Sequence, residues 1–197
     1  VGVAGVAKGS AGSGGLAEMG RVDGGWQMVG MSGREQPREV GGRDLANVGH
    51  ELAGKEDLVY RCHAGGLHVI DVSSPQAPVI LTVIGPPYYP REVAFAGSMA
   101  FVACEQVGLL VLDASDPADP SILDQFGTPG LGIGLTVVGD HLYLGNRWTG
   151  MLVIDVSTPT SSHGVGWIDT PGVASQVVRL GNHLVVADKS GGLRLHP

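Results

Sequence analysis

Basic residues are scarce in this chain: 12 lysines and arginines stand against 19 aspartates and glutamates, and the net charge is −7. The few cations are spread thinly, so there is no electrostatic stripe on which a DNA or RNA footprint could form. No run approaches the roughly 20 apolar residues that a membrane-spanning helix requires. Cysteine is rare too, with Cys62 and Cys104 alone, and two thiols make neither a disulfide framework nor a zinc cage. Charged residues amount to only 16%. That is a poor fit to a helix-rich protein, whose helices each need a solvated charged face.

What the chain has instead is glycine, 33 residues of it, and a repeat. GLHVIDVSSP from Gly66 to Pro75 returns as GLLVLDASDP from Gly108 to Pro117 and as GMLVIDVSTP from Gly150 to Pro159. A fourth copy opens with GLR at Gly192, so the register 66, 108, 150, 192 keeps a 42-residue period without insertion or deletion.

One unit reads as four strands. In the second clear copy they are Arg91 to Ala96, Met99 to Cys104, Leu109 to Ala114 and Ser121 to Phe126. Gly97–Ser98, Gly139–Asp140 and Gly181–Asn182 suit two-residue hairpin turns, because glycine supplies the positive φ that such turns need. Runs such as LLVLD, LVIDV, HLVVA and AFVAC are apolar on nearly every residue, which for a strand means that both faces are covered. The fourth strand, with Asp124 and Gln125, is more polar and belongs on the outside. One such sheet cannot cover both of its own faces, so neighbouring repeats must stack on it. The expected class is all-β.

Asp71, Asp113 and Asp155 recur with the period and invite a catalytic or metal-binding reading. Each is followed two residues on by Ser and four on by Pro, which is turn chemistry: a short acceptor bonds nearby amides, and Pro ends strand pairing. Cys62 and Cys104 are also 42 apart and are read as equivalent points of consecutive repeats, too distant for a disulfide and packed as small hydrophobes. Asn146 and Asp188 take that place in the later copies. His141 and His183 share a position beside the hairpin turns and are expected to face solvent.

The first 25 residues hold nine glycines. Gly12, Gly14 and Ala17 match a weak dinucleotide fingerprint, GxGxxA, but no strand–helix–strand pattern surrounds them. Gly25, Trp26, Met28, Val29, Ser32 and Pro37 follow the repeat at 41 residues' distance, with Gly30 in the place of the aspartate. The chain thus divides into a glycine-rich and charged segment, 1–53, either a degenerate repeat unit or a lead-in, and regular repeats over 54–197. It begins with Val1 and ends inside a unit, so a processed, trimmed or fragmentary sequence is expected.

With LHVID, LLVLD and MLVID at the heart of its repeats, the chain resembles the LVIVD-repeat family from about residue 54 to 197. The resemblance implies a β-propeller-like array, often found in bacterial proteins of the cell surface or exterior, with no established reaction and no catalytic residues to carry over. About 4.7 units of 42 residues fit in the chain, against 4 to 8 blades in a propeller. The expectation is four to five four-stranded blades in an incomplete ring or a fragment of a larger one, with exposed blade faces as a consequence.

In such an array the loops vary while the strands repeat. The turns from strand two to strand three and from strand four to strand one share a face and carry Tyr88, Tyr89, Arg91, Glu92, Glu105, Arg147, Trp148 and Lys189, with His63 and Gln106 beside them. These eight are the candidate binding residues, since aromatic and arginine side chains on variable loops suit a partner. The competing reading has Trp148 and the tyrosines capping the core. The expected function is a non-catalytic scaffold that binds a protein or glycan and needs no cofactor or metal. The alternative is a propeller hydrolase or lyase with a polar cluster near the axis, Glu92 and Arg91 its leading members. A third reading is a structural spacer.

Overall fold

The computed structural model describes residues 7–13, 16–21, 25–30, 38–44, 49–85 and 88–196. They form five antiparallel sheets, each a meander whose spatial order follows the chain. The first holds β1 (Ala7–Ser13), β2 (Leu16–Arg21), β3 (Gly25–Gly30) and β4 (Arg38–Asp44). The second holds β5 (Gly49–Lys55), β6 (Leu58–His63), β7 (Gly66–Asp71) and β8 (Val79–Ile84). The third holds β9 (Pro90–Ala96), β10 (Met99–Cys104), β11 (Gly108–Asp113) and β12 (Ser121–Phe126). The fourth holds β13 (Gly134–Val138), β14 (His141–Gly145), β15 (Met151–Asp155) and β16 (His163–Ile168). The fifth has three strands, β17 (Gln176–Leu180), β18 (His183–Ala187) and β19 (Leu193–His196). The fold is all-β, built of propeller-type blades.

The chain forms two compact units, residues 1–90 with 117–119, and residues 91–116 with 120–197. In the first, Gly12 and Ala17 are cross-strand partners of the β1–β2 hairpin, so the GxGxxA stretch opens no helix. Gly14, Ser32 and Pro37 of the sequence reading, and the charged Arg34 and Glu35, lie outside the described residues.

In the second unit the stacking that the apolar runs demand is laid out residue by residue. Phe101, Ala103, Leu109 and Val111 of the third blade form one core with Leu135, Leu142, Leu144, Leu152 and Ile154 of the fourth. One period later, Tyr143, Met151 and Ile168 of the fourth blade pack on Ala174, Val177, Leu184 and Val186 at the fifth. The fourth blade therefore presents alternate residues of its strands to the third and the others to the fifth, and buried apolar side chains follow on both of its sides.

The repeated motif residues close these blades. Asp71, Asp113 and Asp155 each accept the backbone N–H of the serine two residues on, at 2.8, 2.9 and 2.8 Å. These serine donors, from amide and hydroxyl, hold the three carboxyls below their ordinary value. The next residue then ties down the preceding hairpin: Val72, Ala114 and Val156 donate to the carbonyls of Asp57, Ser98 and Asp140 at 2.8, 2.9 and 2.9 Å. The glycine that opens the motif has φ of 128°, 83° and 81° at positions 66, 108 and 150. A Cβ there would run into the carbonyl of Ile84, Phe126 or Ile168 at the end of the outer strand. Outer strands carry a register shift in every four-stranded blade, opposite Met28/Val29, Val69/Ile70, Val111/Leu112 and Val153/Ile154.

The structure corrects one equivalence. Cys104 lies opposite Gly108, but in the second blade His63 lies opposite Gly66 while Cys62 pairs with Leu67. The turn from β6 to β7 is one residue shorter than its counterparts, so the 42-residue spacing of the two cysteines does not make them structural equivalents. Neither is in a disulfide and both are buried, and burial pushes the Cys104 thiol up to about 12.

Candidate functional site

The place at the end of the second strand is taken by His63, Cys104, Asn146 and Asp188, all buried. The three non-cysteine members fasten loops. His63 Nδ1 accepts the Gly65 N–H at 2.9 Å, Asn146 Oδ1 accepts the Thr128 hydroxyl at 3.1 Å, and Asp188 Oδ2 accepts the Gly172 N–H at 2.9 Å. The last two bonds reach back to Thr-Pro-Gly loops at 128–130 and 170–172, which lead into β13 and β17. A polar residue closing an apolar strand just before the motif glycine was the available sequence signal, and period counting set it aside.

Immediately after this position come the variable turns. In the second unit, Arg91 Nε and Glu105 Oε1 form an ion pair at 3.2 Å, each about a quarter exposed. Glu92 Oε2 accepts the Leu135 N–H at 3.1 Å, and Glu92 Oε1 accepts the Gln176 side-chain amide at 3.2 Å. One carboxylate on β9 thereby ties the inner strands of three consecutive blades. The space for it comes from Gly134, where a Cβ would sit 3.0 Å from Glu92 Oε2 and closer still to the Ser175 carbonyl.

Arg147 and Trp148 form the turn of the fourth blade. Arg147 has φ of 54°, and its backbone pairs with Ala174, N–H to carbonyl in both directions at 3.2 and 3.0 Å. The guanidinium lies over the Trp148 ring, 4.6 Å from its centroid. Trp148 is 66% exposed, so it does not cap the core. Lys189, exposed and with φ of 39°, opens a 3-10 turn over Lys189–Gly191 in the fifth blade. Of the candidate residues of this unit, the structure thus brings Arg91 to Glu105 and Arg147 to Trp148; Lys189 stands on its own turn.

In the first unit, Tyr88 is half-buried and Tyr89 is exposed, with φ of 45°. His63 meets His68 edge-on, ring centroids 4.1 Å apart, a contact made by the β6–β7 hairpin that period counting did not reveal. Burial, with His68, Arg61 and His50 around it, lowers the His63 pKa to about 4. Among the described residues, no three His, Cys, Asp or Glu side chains are grouped to hold a metal ion. Among the described residues, too, no helix is long and apolar enough to cross a membrane. His141 and His183 are exposed beside their hairpin turns.

Comparisons with known proteins agree with this geometry. The LVIVD repeat pattern matches residues 55–83, 89–128 and 130–170. No curated protein matches the chain. Among solved structures, the chain is similar to the computationally designed Ika8 protein, with TM-score 0.71, 15% identity, and coverage of 96% of this chain and 57% of that one. It is also similar to the designed Ika4 protein, with TM-score 0.62, 15% identity, and coverage of 84% and 94%. A chain of the mitotic checkpoint complex matches with TM-score 0.75, 9% identity, and coverage of 94% and 60%. The chain therefore spans about three-fifths of the length of two of these three. At such identities the likeness is one of fold.

Proposed function

The chain belongs to the LVIVD-repeat family, and on that premise we propose that it is a non-catalytic repeat scaffold that binds a protein or glycan partner through its loop face, in a bacterial surface or exterior setting. The observation that carries this reading is the Arg147–Trp148 pair. A tryptophan two-thirds exposed, with a guanidinium held over its ring, offers a flat apolar surface edged by directed donors. The positive φ of Arg147 is a backbone cost accepted in a turn whose neighbours are fixed by hydrogen bonds, a pattern common at functional loops.

Two observations favour a scaffold over the hydrolase or lyase reading. Arg91 is engaged by Glu105, and both oxygens of Glu92 accept hydrogen bonds that join strands. A general acid or base has to spend its proton-binding capacity on a substrate, and these groups are committed to the framework.

The test is a screen of the labelled chain against a glycan array and a protein array. Every ligand found is then titrated with the variant carrying Arg147→Ala and Trp148→Ala. A loss of tenfold or more in affinity with unchanged melting is expected. Undiminished affinity would remove this face from consideration.

A further inference from the structure

The turns that join the second strand of a blade to the third differ in charge from one blade to the next. In the third blade Glu105 stands in this turn and is neutralised by Arg91 at 3.2 Å. One and two repeat periods later the same turn place holds Arg147 and Lys189, while the place of Arg91 holds Ile133 and Ser175. Among the described residues neither cation has a carboxylate partner. The chain has a net charge of −7, yet two consecutive turns of this face each offer a cation.

Both cations are held in fixed places, because the strap of residues 170–175 between β16 and β17 joins their turns. Ala174 exchanges backbone hydrogen bonds with Arg147 at 3.2 and 3.0 Å on one side, and the Val173 N–H reaches the Asp188 carbonyl at 3.4 Å on the other. Asp188 itself is fully buried and accepts the Gly172 N–H. Two steps of backbone pairing, each roughly 5 Å, set the turns about 10 Å apart. Both residues have positive φ, 54° at Arg147 and 39° at Lys189. Pairing with the strap leaves the Arg147 side chain to lie over the Trp148 ring.

Trp148 supplies the third element. It is 66% exposed although the fourth blade is packed on both sides, against the third and the fifth. Among the described residues it is the one exposed large apolar side chain on the turns of this unit. A protein interface centres on a desolvated apolar cluster, which a lone indole beside cations does not make. The electron-rich indole face attracts polarised C–H groups and repels a carboxylate. An acidic peptide would therefore engage the cations and leave the ring unused. A sugar acid meets both demands: its C–H face lies on the indole, and its carboxylate takes the planar fork of the guanidinium. Two cations held apart call for carboxylates on successive units, which linked uronic acids carry and a single terminal acid does not.

We propose that the Arg147–Trp148 and Lys189 turns together bind a linear polyuronate, with one ring stacked on Trp148, its carboxylate on Arg147 and a further carboxylate on Lys189. This rests on the scaffold reading and names its ligand class. At physiological salt the remaining negative charge of the chain is screened beyond about 8 Å, so the local pair of cations governs.

The test titrates the full chain by calorimetry, at physiological salt, with a galacturonate tetramer and with its methyl ester, which keeps the sugar and removes the charge. Binding of the acid is expected, with a loss of tenfold or more for the ester. Arg147→Gln, Lys189→Gln and Trp148→Ala should each weaken it about tenfold or more with unchanged melting, since a charged hydrogen bond or a stacking platform is lost outside the core. Arg179→Gln is an equal change of charge at an exposed residue beside the β17–β18 hairpin and should leave binding unaltered. No binding of the tetramer by the folded chain overturns the proposal, as does binding that the ester shares or that Arg179→Gln weakens equally. Should the tetramer fail while a neutral glycan, an acidic peptide or a protein from the arrays is lost with Arg147→Ala and Trp148→Ala, the scaffold reading stands and this one falls.

Discussion

Glu92 and Leu135 are 43 residues apart, and the carboxylate of the first accepts the backbone N–H of the second at 3.1 Å. With the bond from Gln176, this makes Glu92 a clamp across three inner strands, and the clamp exists only because position 134 has no side chain.

Removing the clamp should cost stability. Glu92→Ala leaves the Leu135 amide without its charged acceptor, and a loss of about 1–2 kcal/mol is expected. Gly134→Ala meets backbone atoms at Ser175 and Gln176 that cannot swing aside, so it should cost roughly 2 kcal/mol or more. Urea unfolding checks both; a Gly134→Ala protein as stable as the parent would contradict the close approach.

The hairpin turns offer a test in the opposite direction. Gly97, Gly139 and Gly181 have φ of 58° to 59°, and Glu56 occupies the same turn position in the second blade with φ of 55°. A side chain in the left-handed region is strained by about 1 kcal/mol. Glu56→Gly should therefore raise the melting temperature slightly, the relief exceeding the added freedom of the unfolded chain. Gly97→Ala, with open space around its Cβ, should lower it through backbone strain alone.

Thiol chemistry should report burial. Cys62 and Cys104 are enclosed, and the Cys104 thiol is held protonated by its surroundings. Since the thiolate is the reactive form, a thiol reagent at pH 8 should label neither cysteine in the native protein and both in denaturant. Rapid native labelling of Cys104 would refute the packing of β10.

Acid should weaken the first unit through His63. Its folded pKa is about 4 against an ordinary 6.5, so between these values the unfolded chain binds more protons than the folded one. Stability then rises with pH across this window and is lost as pH falls through it. The depressed carboxyls of Asp71, Asp113 and Asp155 act in the same sense at lower pH. Glu51, whose pKa is raised by burial, acts in the opposite sense just above the ordinary carboxylate value. The charged and titratable groups that face His63 are His68, Arg61 and His50. His63→Asn places at this position the residue that Asn146 provides two blades later, keeps an acceptor for Gly65 and removes the titration. The slope of the urea midpoint between pH 4.5 and 6.5 should flatten in that variant; an unchanged slope would assign it elsewhere.

The period, the strands and the turns of residues 66 to 197 were legible in the sequence because they are local. Alternation, glycine at positive φ and Asp-x-Ser turns are set by residues a few positions apart. The stacking of blades was legible too, since strands apolar on both sides leave no other arrangement. Period counting failed where one residue was lost: the short β6–β7 turn moved His63, not Cys62, opposite the motif glycine. It was also silent on partners chosen by distance in space. That Glu92 would bridge to Leu135 and Gln176, that Arg91 would be taken by Glu105, and that Arg147 would lie over an exposed Trp148 all depend on which turns meet when twisted sheets pack. Sequence by itself determined the blade; the tertiary structure decided which polar side chains hold blades together and which remain open to a partner, because burial and pairing belong to the packed assembly and not to any one strand.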